Sequence, residues 1–135
     1  MKLNRSESRE KIVTILYQIY MYQNNKMEYN IENVISENVD IQNDFINESV
    51  KGVLEKKQEL FDIANKYLNN WDITRLSKVD QAIISLSIYE LLYTETPDII
   101  CINEAIELGK KYSDDDVVKM INAILDKIYQ NKIDK

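Results

Sequence analysis

Histidine is absent from the 135 residues of this chain, and glycine, proline and cysteine occur only two, one and one times. Without histidine, the chain lacks the usual general base of enzymes and the commonest metal ligand, and no Ser-His-Asp or Cys-His arrangement can form. The single cysteine, Cys101, excludes an internal disulfide and a cysteine-based metal site. We therefore expect no enzyme activity, no metal and no cofactor.

The scarcity of glycine and proline also excludes a β-rich fold, which would need many turn residues. The hydrophobic fraction is 44%, enough to bury the core of one ordinary domain, which we expect to span residues 1–135. The first ten residues carry no apolar signal segment, and no run of 18 uncharged apolar residues follows. We expect no membrane contact and a reducing, cytoplasmic location.

Apolar residues recur at three- and four-residue spacing along most of the chain, as one face of a helix requires. The pattern predicts an all-α fold of six to seven helices in two packed helical bundles. The boundary at Trp71 separates an N-terminal group, about 1–70, from a C-terminal group, about 71–135. The expected helices run approximately over residues 5–22, 29–37, 41–68, 76–92, 102–111 and 115–130.

Polar residues at the predicted helix ends suggest how those helices begin. Asp40 is a candidate cap for the long helix, and the polar stretch 55–59 is either a bend or an exposed middle of it. Ser113 is a candidate cap for the last helix. The acids at 114–116 that follow it are interpreted as compensating the helix dipole rather than as an oxygen-ligand metal site.

The formal charge is 17 − 23 = −6, which repels nucleic acid at long range. Any RNA binding must therefore use a local basic patch or a partner that supplies positive charge. Residues 1–12 carry four basic and two acidic side chains, a net charge of +2. This segment is the best candidate for such a patch, although an ordinary solvated helix end would look the same.

Three stretches in register resemble the NusB family of transcription antitermination factors. The stretch 102–112 reads INEAIELGKKY, close to the family's INEAVELAKKF, and 122–128 reads NAILDKI, close to its VNGVLDKI segment. The stretch 71–91 follows the family's tryptophan–arginine–leucine, valine–aspartate and tyrosine–glutamate–leucine pattern. Arg9-Glu10 and Leu16-Tyr17 match further pairs, so the resemblance covers about residues 5–128.

The resemblance implies two packed bundles and binding to boxA-type RNA in ribosomal-RNA leaders. The implied protein partner is the small-subunit ribosomal protein that doubles as NusE, and both would join RNA polymerase with other Nus factors. It also implies two RNA-contacting regions, at the first helix and at the start of the last helix. The matching residues are Lys2, Arg5, Arg9, Lys11, Asp116, Lys119 and Met120.

Tyr17, Asp80 and Glu104 match positions on or near the family's protein-partner side. An acidic edge would steer a basic ribosomal protein by opposite charge, whereas the ordinary alternative is a solvated polar face. Two other functions stay open. The chain could be a helical interaction module or homodimer with weakened RNA affinity, or an accessory domain of an RNA methyltransferase.

Overall fold

The computed structural model describes residues 2–69 and 71–133, and within them it contains seven α-helices, one short 3-10 turn at Ile73–Arg75 and no strand. This confirms the predicted all-α class. The helices are α1 (Arg5–Asn24), α2 (Ile31–Asn38), α3 (Asp44–Glu55), α4 (Lys57–Tyr67), α5 (Lys78–Tyr93), α6 (Asp98–Tyr112) and α7 (Asp115–Ile133).

The long helix expected over 41–68 is wrong, because the structure divides it into α3 and α4 at Lys56. Lys56 has φ −102° and ψ 12°, outside helical geometry, and serves as the C-cap of α3 and the N-cap of α4. The interruption lies in the polar stretch 55–59, where the sequence left open a bend or an exposed middle, and Glu55, Gln58 and Glu59 are also exposed.

Two expected caps are also corrected. Asn43, rather than Asp40, caps α3, because its Oδ1 accepts a hydrogen bond from the Ile46 amide at 3.0 Å. Asp114, rather than Ser113, caps α7 by accepting from the Val117 amide at 2.9 Å. In both cases the capping residue is an asparagine or aspartate whose side-chain oxygen accepts a hydrogen bond from the backbone amide three residues later.

Helix α5 lies at the centre of the molecule and packs against α1, α3, α4, α6 and α7. Every residue from Asp80 to Ile88 is buried, so this helix has almost no face for solvent over its first three turns. The apolar side chains of the other helices join it in one cluster that runs from Ile12 to Ile128. This arrangement attaches both ends of the chain to one core.

Candidate nucleic-acid interface

A groove of about 920 Å³ runs between the start of α1 and the segment that connects α2 to α3. It brings together Lys2, Arg5 and Lys11, three of the seven residues predicted to contact RNA. All three side chains are exposed. The remaining lining residues are Leu3, Asn4, Ser8, Asn38, Val39, Asp40, Ile41, Gln42, Asn43, Asp44 and Phe45.

The chemistry of the groove suits a polar, anionic ligand. Three cations face two carboxylates, those of Asp40 and Asp44, which leaves a local excess of positive charge in a chain of net charge −6. Four amide side chains also line the groove, at positions 4, 38, 42 and 43. Those at positions 4, 38 and 43 already make hydrogen bonds within the protein. Cations of this kind position phosphates and make binding sensitive to salt.

A capping box sets the direction of α1 at the groove. Asn4 accepts a hydrogen bond from the Glu7 amide at 2.8 Å, and the Glu7 carboxylate accepts from the Asn4 amide at 3.0 Å. Such a reciprocal cap fixes the first turn and satisfies two amides that would otherwise lack partners. Arg5, the first residue of the helix, is therefore held at a defined position at the groove wall.

Arg9 does not reach this surface, which corrects its assignment as an RNA contact. Its side chain is only 4% exposed, and its Nε and Nη2 atoms donate to the Glu90 carboxylate at 2.7 and 2.9 Å. Glu104 lies 3.9 Å away on α6. The charge of Arg9 is thus compensated inside the protein, where it joins α1 to α5 and α6.

The three predicted residues on α7 lie apart from the groove lining. Asp116 and Lys119 are exposed, and Met120 is half-buried against the core. Since Asp114 already caps the helix, Asp116 is free of that role and presents its carboxylate to solvent. These residues form a separate patch at the start of α7.

The three residues predicted to contact a protein partner differ in how exposed they are. Tyr17 is exposed and Glu104 is half-buried, but Asp80 is buried and accepts a hydrogen bond from the Ser113 hydroxyl. The expectation that Asp80 belongs to an exposed acidic edge is therefore corrected. Its side chain joins the start of α5 to the end of α6.

Glu104 instead borders a second groove, of about 470 Å³, between α1 and α6. Glu10 and Glu107 lie beside it, and Ser6 donates a hydrogen bond to Glu104 at 2.8 Å. Lys110 and Lys111 line the same groove, so its charge is mixed. We call the surface of Glu10, Glu104 and Glu107 the acidic groove.

Within the acidic groove, Glu10 holds α1 against the end of α6. Lys111 pairs with its carboxylate, and the Tyr112 hydroxyl donates to the same oxygen at 2.7 Å. Hydrogen bonds from Lys111 and Tyr112 keep the pKa of Glu10 below its ordinary value. Glu10 therefore stays ionised under mildly acidic conditions.

Phe45 lines the groove that contains Lys2, Arg5 and Lys11, which we call the basic groove. Sequence reasoning missed it, because helical spacing makes Phe45 one of the apolar residues of the helix expected over 41–68. The structure half-buries its ring and places the guanidinium carbon of Arg5 4.0 Å from the ring centre. The two residues are 40 positions apart, so no local pattern could have paired them. The amide-rich stretch 42–43 was a signal that could have marked this segment as groove-lining.

Other chemistry is limited in the part of the chain that the structure describes. Cys101 is buried, and burial together with the nearby Glu90 carboxylate raises the pKa of its thiol to about 12, which disfavours the reactive thiolate. Residues 2–69 and 71–133 contain no cluster of three or more potential metal-binding side chains. No helix among them is both long and apolar enough to cross a bilayer.

The described residues form an all-helical protein with two surface grooves, one lined by three cations and two carboxylates and the other by three glutamates and two lysines. The family model described as "NusB family" matches residues 6–130. The transcription antitermination protein NusB of Macrococcus caseolyticus is 41% identical over 132 residues, which cover 96% of this chain and 99% of the relative. The chain belongs to the NusB family.

Further relatives agree in sequence and in structure. The NusB protein of Clostridium perfringens is 38% identical, with 96% of this chain and 98% of the relative covered. The solved structure of T. maritima NusB has a TM-score of 0.84 at 28% identity, covering 96% of this chain and 93% of that one. A crystal structure of antitermination factors NusB and NusE in complex with dsRNA shares the fold, with a TM-score of 0.79 at 24% identity over 94% of this chain and 96% of that one.

Proposed function

We propose that this chain is a transcription antitermination factor that binds boxA-type RNA of ribosomal-RNA leaders together with the ribosomal protein that acts as NusE. The pair would act on termination by RNA polymerase in the cytoplasm, with other Nus factors. Curated relatives at 41% and 38% identity carry the name transcription antitermination protein. The observation that carries the RNA part is the basic groove, where Lys2, Arg5 and Lys11 converge.

The proposed RNA contacts are these three cations, with Asp116, Lys119 and Met120 as a second patch on α7. Lys119 can contribute a phosphate contact, whereas Asp116 suits hydrogen bonding to a base, because a carboxylate repels phosphate. Arg9 is not in this set, since its charge is already paired with Glu90. A small number of cations predicts modest affinity for RNA alone.

The proposed surface for the ribosomal protein comprises Tyr17 and the acidic groove. Opposite charge would steer a basic partner to Glu104 and Glu107, and the exposed Tyr17 would supply apolar contact area. Asp80 serves this surface indirectly, by fixing the helix ends through Ser113. A basic partner would also supply the positive charge that the chain itself lacks.

The test is fluorescence anisotropy of a labelled boxA-type RNA, titrated with this protein at two salt concentrations, with and without the ribosomal partner. We expect weak binding alone, tighter binding with the partner, and a marked loss at high salt. Arg5→Ala should weaken RNA binding and leave partner binding intact, and Lys26→Ala, an exposed lysine outside the groove, is the matched control.

The second candidate is a helical interaction module or homodimer with weakened RNA affinity, which the net charge of −6 favours. Absence of RNA binding at low salt, with partner binding intact, would replace the first proposal by this one. Light scattering at several concentrations distinguishes its two forms, because a homodimer gains mass as concentration rises and an interaction module stays monomeric.

A further inference from the structure

The ring of Phe45 contacts two arginine side chains of α1, one exposed and the other buried. The guanidinium carbon of Arg5 lies 4.0 Å from the ring centre, and that of Arg9 lies 5.5 Å from it. Arg9 is buried and paired with Glu90, but Arg5 is exposed at the wall of the basic groove. Phe45 is therefore a direct link between the interior of the protein and a cation that faces solvent.

Arg5 depends on this ring for its position. Among the described residues, no carboxylate oxygen lies within 4.0 Å of its guanidinium group. A long arginine side chain without an anionic partner samples many rotamers, and attraction to an aromatic face restricts them. The ring is the neighbour that the structure provides for this purpose.

Phe45 is itself held in place relative to α1. It is the second residue of α3 and lies in the first turn, which Asn43 caps. The side-chain amide of Asn43 also donates to the Ser8 hydroxyl of α1 at 3.4 Å. Ser8 is buried, and both residues line the groove, so this contact joins the starts of the two helices at the groove wall. The contact thus connects the start of α3, which carries the ring, to α1, which carries Arg5.

We propose that Phe45 is a positioning residue for RNA binding, whose ring holds the Arg5 guanidinium in the basic groove before RNA arrives. The inference rests on the proposed function and adds to it a residue that the family resemblance did not supply. A cation ordered in advance loses less conformational freedom when phosphate binds, so affinity depends on a side chain that need not touch RNA. Removing the ring should have the same effect as loosening Arg5.

The experiment is a double-mutant cycle on Phe45 and Arg5, measured by anisotropy of labelled boxA-type RNA at low salt. Phe45→Leu should weaken binding by about two- to fivefold, the scale of an exposed cation–π contact. Phe45→Tyr keeps the aromatic face and should bind like the unmodified protein. Phe61→Leu is the matched control, because the chain has two phenylalanines and Phe61 lies outside the groove lining.

The double variant Arg5→Ala/Phe45→Leu should bind no worse than Arg5→Ala alone, because the ring acts only through that arginine. Additive losses would overturn the proposal and make Phe45 a general structural or direct RNA contact. Equal binding by Phe45→Leu and the unmodified protein would also overturn it. Failure of the unmodified protein to bind RNA would instead reject the proposed function on which this inference rests.

Discussion

The guanidinium of Arg9 and the carboxylate of Glu90 form a two-pronged hydrogen-bonded ion pair, at 2.7 and 2.9 Å, between side chains that are each 4% exposed. The pair joins the second turn of α1 to the last turn of α5, which packs against five other helices. Because Arg9 lies one turn beyond Arg5, the pair also anchors the wall of the basic groove to the core.

Removing one partner of this ion pair and leaving the other should lower the stability of the protein. Glu90→Leu leaves the Arg9 charge buried without its main partner, so we expect the free energy of unfolding to fall by about 3–5 kcal/mol. Urea denaturation followed by circular dichroism measures the change. The double variant Arg9→Met/Glu90→Leu should lose much less, since both charges are removed together; a double variant as unstable as the single one would contradict this account.

Gly52 should not tolerate a methyl group. A Cβ built at Gly52 would overlap the ring and hydroxyl of Tyr89, where α3 packs on α5. Gly52→Ala should therefore lower the free energy of unfolding by about 1–3 kcal/mol, although alanine favours an unobstructed helix. Glu48→Ala, at an exposed position of the same helix, is the control. In a Tyr89→Ala background the further change Gly52→Ala should cost less than it does in the unmodified protein. Stabilisation by Gly52→Ala would show that the ring moves aside freely.

Glu10 should make stability depend on acid pH. Hydrogen bonds from Lys111 and Tyr112 lower its pKa in the folded state below the ordinary value of 4.5. Its contribution is therefore complete above that ordinary value and disappears as pH falls through the lower, folded-state pKa. Glu10→Gln should cost roughly 0.2–1 kcal/mol at pH 7 and less at pH 2, as measured by urea unfolding at both pH values.

The matched control for this pH dependence is Glu28→Gln, a change at an exposed glutamate outside the acidic groove. It should leave the difference between the two pH values unchanged. An equal loss at pH 2 and pH 7 for Glu10→Gln would mean that the side chain acts by packing rather than by its charge.

Lys11 should contribute to RNA binding mainly through its charge. Lys11→Gln is expected to weaken binding similarly for different RNA sequences and to reduce the slope of log affinity against log salt by about one. Lys26→Gln removes the same charge from an exposed loop position outside the basic groove and should change the slope less. Equal slopes for both variants would place Lys11 outside the RNA contact.

The all-α class could be predicted because helical periodicity is a local property of the sequence. The residues at which helices end, and the interruption between α3 and α4, were harder to predict. Asp40 and Asn43 are both good caps, and the choice depends on how α3 meets α1, where the Asn43 side chain also reaches Ser8. The break at Lys56 likewise follows from packing, since Leu60, Phe61 and Ala64 must all reach the core after the polar stretch.

The basic groove was predictable in part. Lys2, Arg5 and Lys11 lie close together in sequence and share a surface, whereas Arg9 looked equally exposed from its neighbours. Its burial depends on a carboxylate 81 positions away. A signal was present in α5, where Glu90 is the only charged residue from Ala82 to Tyr93, because a buried carboxylate requires a buried cation or donor.

The central position of α5 has a consequence for local opening. Its amides from Asp80 to Ile88 are covered on every side, so water reaches them only when several neighbouring helices separate together. Fraying of α2, or of the segment between it and α3, can occur without exposing this helix. The segment between α2 and α3 can therefore open locally while the hydrogen-exchange rate of α5 stays tied to unfolding of the whole molecule.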